Sequence, residues 1–146
     1  MEKRKIKVLF LCTHNSARSQ MAEAFLNHIS GDRFEAYSAG LKPREISPYV
    51  DQVMREIGID MRGHYPKALK NFMGKIHFGY LITVCAQAEE QCPSTYPGFG
   101  RRLSWDFEDP NSFTGSNEEK LDKFREVRDQ IGRKINQWLL EQAQSE

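Results

Sequence analysis

Apolar residues fall along the chain in two alternating rhythms. Runs over residues 6–11, unbroken from Val8 to Leu11, and over residues 80–84 each lead into a cysteine, Cys12 or Cys85. Such runs predict strands buried on both faces, the pattern of a parallel sheet. Residues 35–38, stopped by Gly40, and 103–105 read as two shorter strands. Between them the spacing turns helical. Met21, Ala22, Phe25, Leu26 and Ile29 share one face ahead of Gly31, and Val50, Val53, Met54 and Ile57 share another. Ser47-Pro48 supplies the cap and first-turn proline of that second helix, and Gly58 ends it. Pro66 predicts a third helix carrying Leu69, Phe72 and Met73. Ser116-Asn-Glu-Glu119 reads as a capping box for a long last helix, with Leu121, Phe124, Val127, Ile131, Ile135, Trp138 and Leu139 as its stripe. The order β-α-β-α-β predicts a three-layer α/β sandwich, a parallel sheet flanked by helices. Sites in such sheets lie at the carboxyl ends of strands, where Cys12 and Cys85 both fall.

Composition narrows the classes. The 146 residues suit one domain spanning 1–146, and 39% hydrophobic with 28% charged content can bury a core. A net charge of +1 gives no nucleic-acid footprint and no polybasic membrane surface. The basic start, Met1-Glu-Lys-Arg-Lys, leads into an apolar run too short for a signal core, and no stretch could span a bilayer, so a soluble, cytoplasmic protein is expected. The balanced charge makes a monomer the default. Three cysteines are too few for a secreted disulfide framework, and their spacing with the scattered histidines gives no zinc pattern, so no metal and no cofactor are expected.

The sharpest chemical signal is Cys12-Thr-His-Asn-Ser-Ala-Arg18-Ser19, between a buried strand and an amphipathic helix. A loop there can turn the amides of Thr13, His14, Asn15, Ser16, Ala17 and Arg18 onto a tetrahedral dianion, with the helix N-terminus adding positive potential. Arg18 can clamp two of its oxygens. The same field favours the thiolate of Cys12, to which Ser19 can donate a hydrogen bond, while Asn15 can fix the loop through its amide. A second signal is Asp109-Pro110. A carboxyl group on that loop can reach over an anion pocket and protonate a departing oxygen; Asp106 and Glu108 are rivals without the rigid proline. The third is Cys85-Ala-Gln-Ala-Glu-Glu-Gln-Cys92, a pair of thiols around a run of good helix formers. With Cys12 they suggest a relay of nucleophile, partner and resolving thiol.

These residues resemble the thioredoxin-coupled arsenate reductases, which share the low-molecular-weight protein tyrosine phosphatase fold. The resemblance runs from Ile6 to about Leu139. It includes Phe10-Leu-Cys12, Asn15-Ser16, Arg18-Ser-Gln-Met-Ala-Glu23, Ser38-Ala-Gly40, Gly58-Ile-Asp60, the cysteine pair and the segment from Trp105 to Pro110. It implies a four-stranded, mainly parallel central sheet. It also implies that Cys12 attacks arsenate, Arg18 holds its oxygens and Asp109 handles the proton at the leaving hydroxyl. Cys85 then attacks Cys12, arsenite departs, and Cys92 carries the disulfide outward to thioredoxin. Phosphate or sulfate would act as analogues. The alternative is a low-molecular-weight phosphatase hydrolysing phosphomonoesters through a phosphocysteine, for which Cys85 and Cys92 have no use.

The chain departs from the pattern in four places. His14 stands where many members have glycine, and its imidazole is expected to be exposed. Ala17 replaces a common cysteine. Lys67 falls where some reductases place an acidic potassium ligand near Asn15, Glu23 and Ser38, which argues against a potassium site and lets the ammonium take the cation's place. Asn111-Ser-Phe113 lacks the tyrosine that phosphatases often carry after Asp-Pro, which counts against phosphotyrosine.

Overall fold

The computed structural model describes residues 4–91 and 99–144. Four strands, β1 (Ile6–Cys12), β2 (Phe34–Gly40), β3 (Phe78–Thr83) and β4 (Phe99–Ser104), form one parallel sheet in the order β2-β1-β3-β4. Val8, Leu9, Phe10 and Leu11 are fully buried, which is why this strand reads as a continuous apolar run. The chain leaves β1 for β2 on one side and returns to β3 on the other. That reversal opens a crevice at the carboxyl ends of β1 and β3. The register sets Cys12 beside Gly40 and Leu11 beside Thr83, so Cys85, two residues on, comes level with Thr13.

The helices are α1 (Arg18–Ser30), α2 (Pro48–Arg55), α3 (Ala86–Gln91) and α4 (Asn117–Gln144). Both predicted caps form. Ser47 Oγ accepts from the Tyr49 amide at 3.3 Å, and Ser116 and Glu119 exchange reciprocal bonds of 3.2 and 3.1 Å. Trp138 of α4 packs on Phe34 and Tyr80 of the sheet, with ring centroids 5.2 and 5.1 Å apart. Arg128, 8% exposed, ties α4 to α2 through the Val53 carbonyl at 2.8 Å and Glu56 at 2.9 Å. Hydrogen bonds from Arg125 and Arg128 hold the Glu56 carboxyl below its usual range.

Three expectations need correction. The helix predicted from Pro66 is absent: the chain there is extended, Ala68 pairs with Gly40, and only a 3-10 turn forms at Leu69–Asn71. Proline fixes φ at a value that suits an extended chain as well as a first helical turn, and the bond from Gly40 N to the Lys67 carbonyl (2.8 Å) selects the former. Ile29 and Ile57 do not join the core; each is 40% exposed, Ile29 in the last turn of α1 and Ile57 beyond the end of α2. The strands also run longer than predicted, β4 starting at Phe99 rather than residue 103. No helix among the described residues is long and apolar enough to cross a membrane.

Candidate active site

Residues 12–18 join β1 to α1, and the carbonyls of residues 12–17 are turned outward. Leu41, Lys42, Arg44 and Ser47 donate backbone N–H bonds to the carbonyls of Cys12, Thr13, His14 and Ser16, at 3.2, 2.7, 2.9 and 3.0 Å. The Asn15 carbonyl accepts from Gln20 Nε2 and the Ala17 carbonyl from the Met21 amide. Each peptide that turns its oxygen out turns the next amide in. The amides of Thr13, His14, Ser16 and Ala17 thus have no protein acceptor among the described residues, and they can serve a bound oxyanion. Asn15 takes φ 53°, in the left-handed region. Its side chain holds it there: Oδ1 accepts from Gln20 Nε2 and the Lys67 amide, both at 2.9 Å, and Nδ2 donates to Ser19 Oγ at 2.7 Å.

Gly40 is required by close approach. A Cβ there would stand 2.9 Å from both Asn15 N and His14 C, and these are backbone atoms with no rotamer to yield. Gly40→Ala is expected to cost about 1–3 kcal/mol of stability by overpacking. It should also weaken sulfate binding disproportionately, because the atoms displaced are those of the loop. Thermal unfolding and sulfate titration read the two effects separately.

Cys12 Sγ sits inside this loop, 2% exposed, 2.8 Å from Ser19 Oγ and 3.1 Å from the Asn15 amide. Ser19 Oγ already accepts from Asn15 Nδ2, so its own proton is free to point at the sulfur. The loop amides, the start of α1 and these two donors all present positive partial charge to the sulfur. Behind it lies a polar network. His64 Nδ1 stands 2.8 Å from Glu23 Oε2 and 3.1 Å from Gln20 Oε1, and Ser38 Oγ donates to Glu23 at 3.2 Å. The Lys67 ammonium lies 3.6 Å from Glu23 and bonds the Tyr65 carbonyl at 2.9 Å. Burial pushes the Lys67 ammonium below its ordinary value, while Glu23 opposes that shift. Ala17 is buried in the core rather than reactive.

Arg18 reaches across the loop to the segment after β4. Its Nη1 donates to the Phe107 carbonyl at 3.0 Å, and Nη2 lies 3.7 Å from Asp109 Oδ2. Asp106 and Glu108 are exposed, and Glu108 pairs instead with Lys123 on α4 at 2.9 Å. Of the three acidic groups, Asp109 is the one aimed at the loop. A cleft of about 490 Å3 opens above, lined by His14, Ser16, Arg44, Ser47, Asp109 and Asn111. His14 is half-buried rather than exposed. Burial and the charge of Arg44 hold its imidazole below the ordinary value, with Asp109 opposing and Arg18 and Lys42 reinforcing.

Cys85 is buried at the start of α3, a free thiol like Cys12. Its Sγ accepts from the Ala88 amide at 3.4 Å and stands 3.6 Å from Thr13 Oγ1, whose hydroxyl also donates to Gln87 Oε1 at 3.2 Å. The second thiol is thereby tied to the residue next to Cys12. Cys92 lies outside the described residues. No cluster of His, Cys, Asp or Glu among the described residues is arranged to hold a metal.

The description "Low molecular weight phosphotyrosine protein phosphatase" belongs to the family model that matches residues 7–146. The chain is a member of this family. Within the family it is similar to the arsenate reductase of Oceanobacillus iheyensis, 40% identical over 129 residues that cover 88% of this chain and 91% of that protein. Among solved structures, an arsenate reductase in the phosphate-binding state superposes with a TM-score of 0.74 at 28% identity, covering 93% of this chain and 98% of the other. A thioredoxin-dependent arsenate reductase of Corynebacterium glutamicum gives 0.61 at 30% identity, covering 93% and 64%. Two parts of the site have no sequence signal, the outward clamp by residues 41–47 and the side chain of His64, while Gln20 and Asn111 lie in stretches that the sequence singles out without indicating their contacts. Each acts through contacts with residues distant in the chain.

Proposed function

We propose that this chain reduces arsenate to arsenite with Cys12, Cys85 and Cys92 as its electron source. The carrying observation is the buried thiol of Cys85 beside Thr13, one residue from the nucleophile, at a strand end where a phosphomonoesterase needs no second thiol. The similarity to named arsenate reductases supports the same reading. Arsenate sits on the amides of Thr13, His14, Ser16 and Ala17 and is clamped by Arg18, while the Asn15 amide, expected from the sequence to join them, serves the Cys12 sulfur instead. The Cys12 thiolate forms a bond to arsenic, and the departing hydroxyl takes the proton of Asp109 and leaves as water. The Cys85 thiolate then attacks Cys12 Sγ. The sulfur–sulfur bond forms, the sulfur–arsenic bond breaks, and its electron pair stays on arsenic, which departs as arsenite. Cys92 attacks Cys85, frees Cys12 and leaves a Cys85–Cys92 disulfide for an external dithiol. That dithiol is thioredoxin in this reading, in keeping with the thioredoxin-dependent relative, and the setting is a reducing cytoplasm.

The deciding assay supplies arsenate with thioredoxin, thioredoxin reductase and NADPH, and p-nitrophenyl phosphate separately. Arsenate-dependent NADPH oxidation supports the reductase. Hydrolysis of the ester without it would assign the chain to the phosphatase alternative. Asp109→Asn is expected to lower the turnover rate about 100-fold or more, the usual scale of general acid help, with little change in sulfate affinity. A near-wild-type rate would move the proton to Asp106, Glu108 or water.

A further inference from the structure

The turn that carries Asp109 is fastened at both ends by one residue that the chemistry above does not use. Asp109 caps a 3-10 turn at Pro110–Ser112, and its Oδ1 accepts the Asn111 backbone amide at 2.9 Å. The Asn111 side chain reaches the other way, Nδ2 donating to Ser16 Oγ of the anion loop at 3.0 Å. Ser112 adds bonds from its hydroxyl and its amide to the Asp109 carbonyl, at 2.8 and 3.2 Å. The two carboxylate oxygens of Asp109 are thereby made unequal. Oδ1 is occupied by the turn, and Oδ2 faces Arg18 at 3.7 Å, the side on which a bound oxyanion would lie.

We propose that Asn111 is a positioning residue, which sets the distance between the proton-bearing Oδ2 of Asp109 and the oxyanion by tying the 109–112 turn to Ser16. This rests on the assignment of Asp109 as proton donor. Arg18 already links the segment to the loop, through the Phe107 carbonyl and through its ion pair with Asp109, but neither contact reaches the residues of the turn beyond Asp109. The Asn111–Ser16 bond holds the turn to the loop from that far side. Residue 111 is exposed, so its amide contributes little to burial, and the bond to Ser16 is what its loss removes. A proton donor displaced by an ångström or less loses rate steeply, because transfer in the transition state requires hydrogen-bond reach.

The test uses the full chain, with wild type, Asn111→Ala, Asp109→Asn and the double variant. Arsenite formed in a single turnover without thioredoxin isolates the chemical steps from disulfide release. Asn111→Ala is expected to slow that turnover about tenfold, with half-saturation by arsenate changed less than about twofold. In the Asp109→Asn background the same substitution should have no further effect, since there is no donor left to place. An unchanged unfolding temperature in Asn111→Ala is expected, and a folded variant keeps the comparison clean. A wild-type rate in Asn111→Ala, an equal loss in both backgrounds, or a loss confined to arsenate saturation would each overturn the proposal. A wild-type rate in Asp109→Asn alone would instead remove the proton-donor assignment.

Discussion

Cys12→Ser should abolish both arsenate reduction and ester hydrolysis while leaving a folded protein that still binds sulfate. The change is nearly isosteric at a site 2% exposed, and the hydroxyl inherits the donors from Ser19 and the Asn15 amide. The loop is held by backbone bonds from residues 41–47 and not by the sulfur, so its inward amides remain. A hydroxyl, however, ionises far less readily than a thiol, and it cannot take part in the later sulfur–sulfur exchange. Arg18→Ala makes the contrast. It deletes the guanidinium from the rim of the site, so sulfate binding should be lost together with turnover. Retained turnover in Cys12→Ser, measured as arsenite released, would remove Cys12 from the reaction.

Cys92→Ser should stop after about one arsenate per protein with thioredoxin, yet hydrolyse p-nitrophenyl phosphate normally. Cys85 is anchored at the head of α3 by the Ala88 amide and Thr13. Seven residues at a helical rise of about 1.5 Å would separate the Cα atoms of Cys85 and Cys92 by roughly 10 Å. A disulfide requires them within about 7 Å. Joining the two therefore requires at least part of α3 to unwind. Amide exchange in residues 86–91 should rise sharply on oxidation, while α1 stays protected. Without Cys92 the oxidised sulfur stays on the buried Cys12–Cys85 pair, out of reach of a protein dithiol. Sustained turnover of Cys92→Ser with thioredoxin as sole reductant would show that Cys92 is not the resolving thiol.

Much of this molecule is legible in its sequence because the informative contacts are local. Strand, loop and helix follow one another from Ile6 to Ser30, so the anion loop and Cys12 could be read from a single stretch. Both helix caps are short local signals, the dipeptide Ser47-Pro48 and the four residues Ser116–Glu119, and both form. What escaped was long-range. Asn15 is held by Gln20 and by the Lys67 amide, the latter 52 residues away, and no periodicity encodes that. The same contact explains the failed helix at Pro66, whose backbone is spent on Gly40 and Asn15 instead of on its own turn. Ile29 and Ile57 show the opposite error: the spacing continues in register, but in α1 the buried position of the last turn is Ser30, and Ile57 lies beyond the end of α2.

The outward clamp on the anion loop is made entirely by backbone N–H groups, four of them, from a stretch without helix or strand. A main-chain bond does not depend on which side chain its residue bears. The side chains of Lys42, Arg44 and Glu45 are therefore uncoupled from the geometry that holds the oxyanion, although Arg44 and Glu45 line the mouth of the cleft. Substitutions along this lip can alter its charge and what it admits without disturbing the chemistry below. In this part of the fold, selectivity and catalysis can be inherited separately.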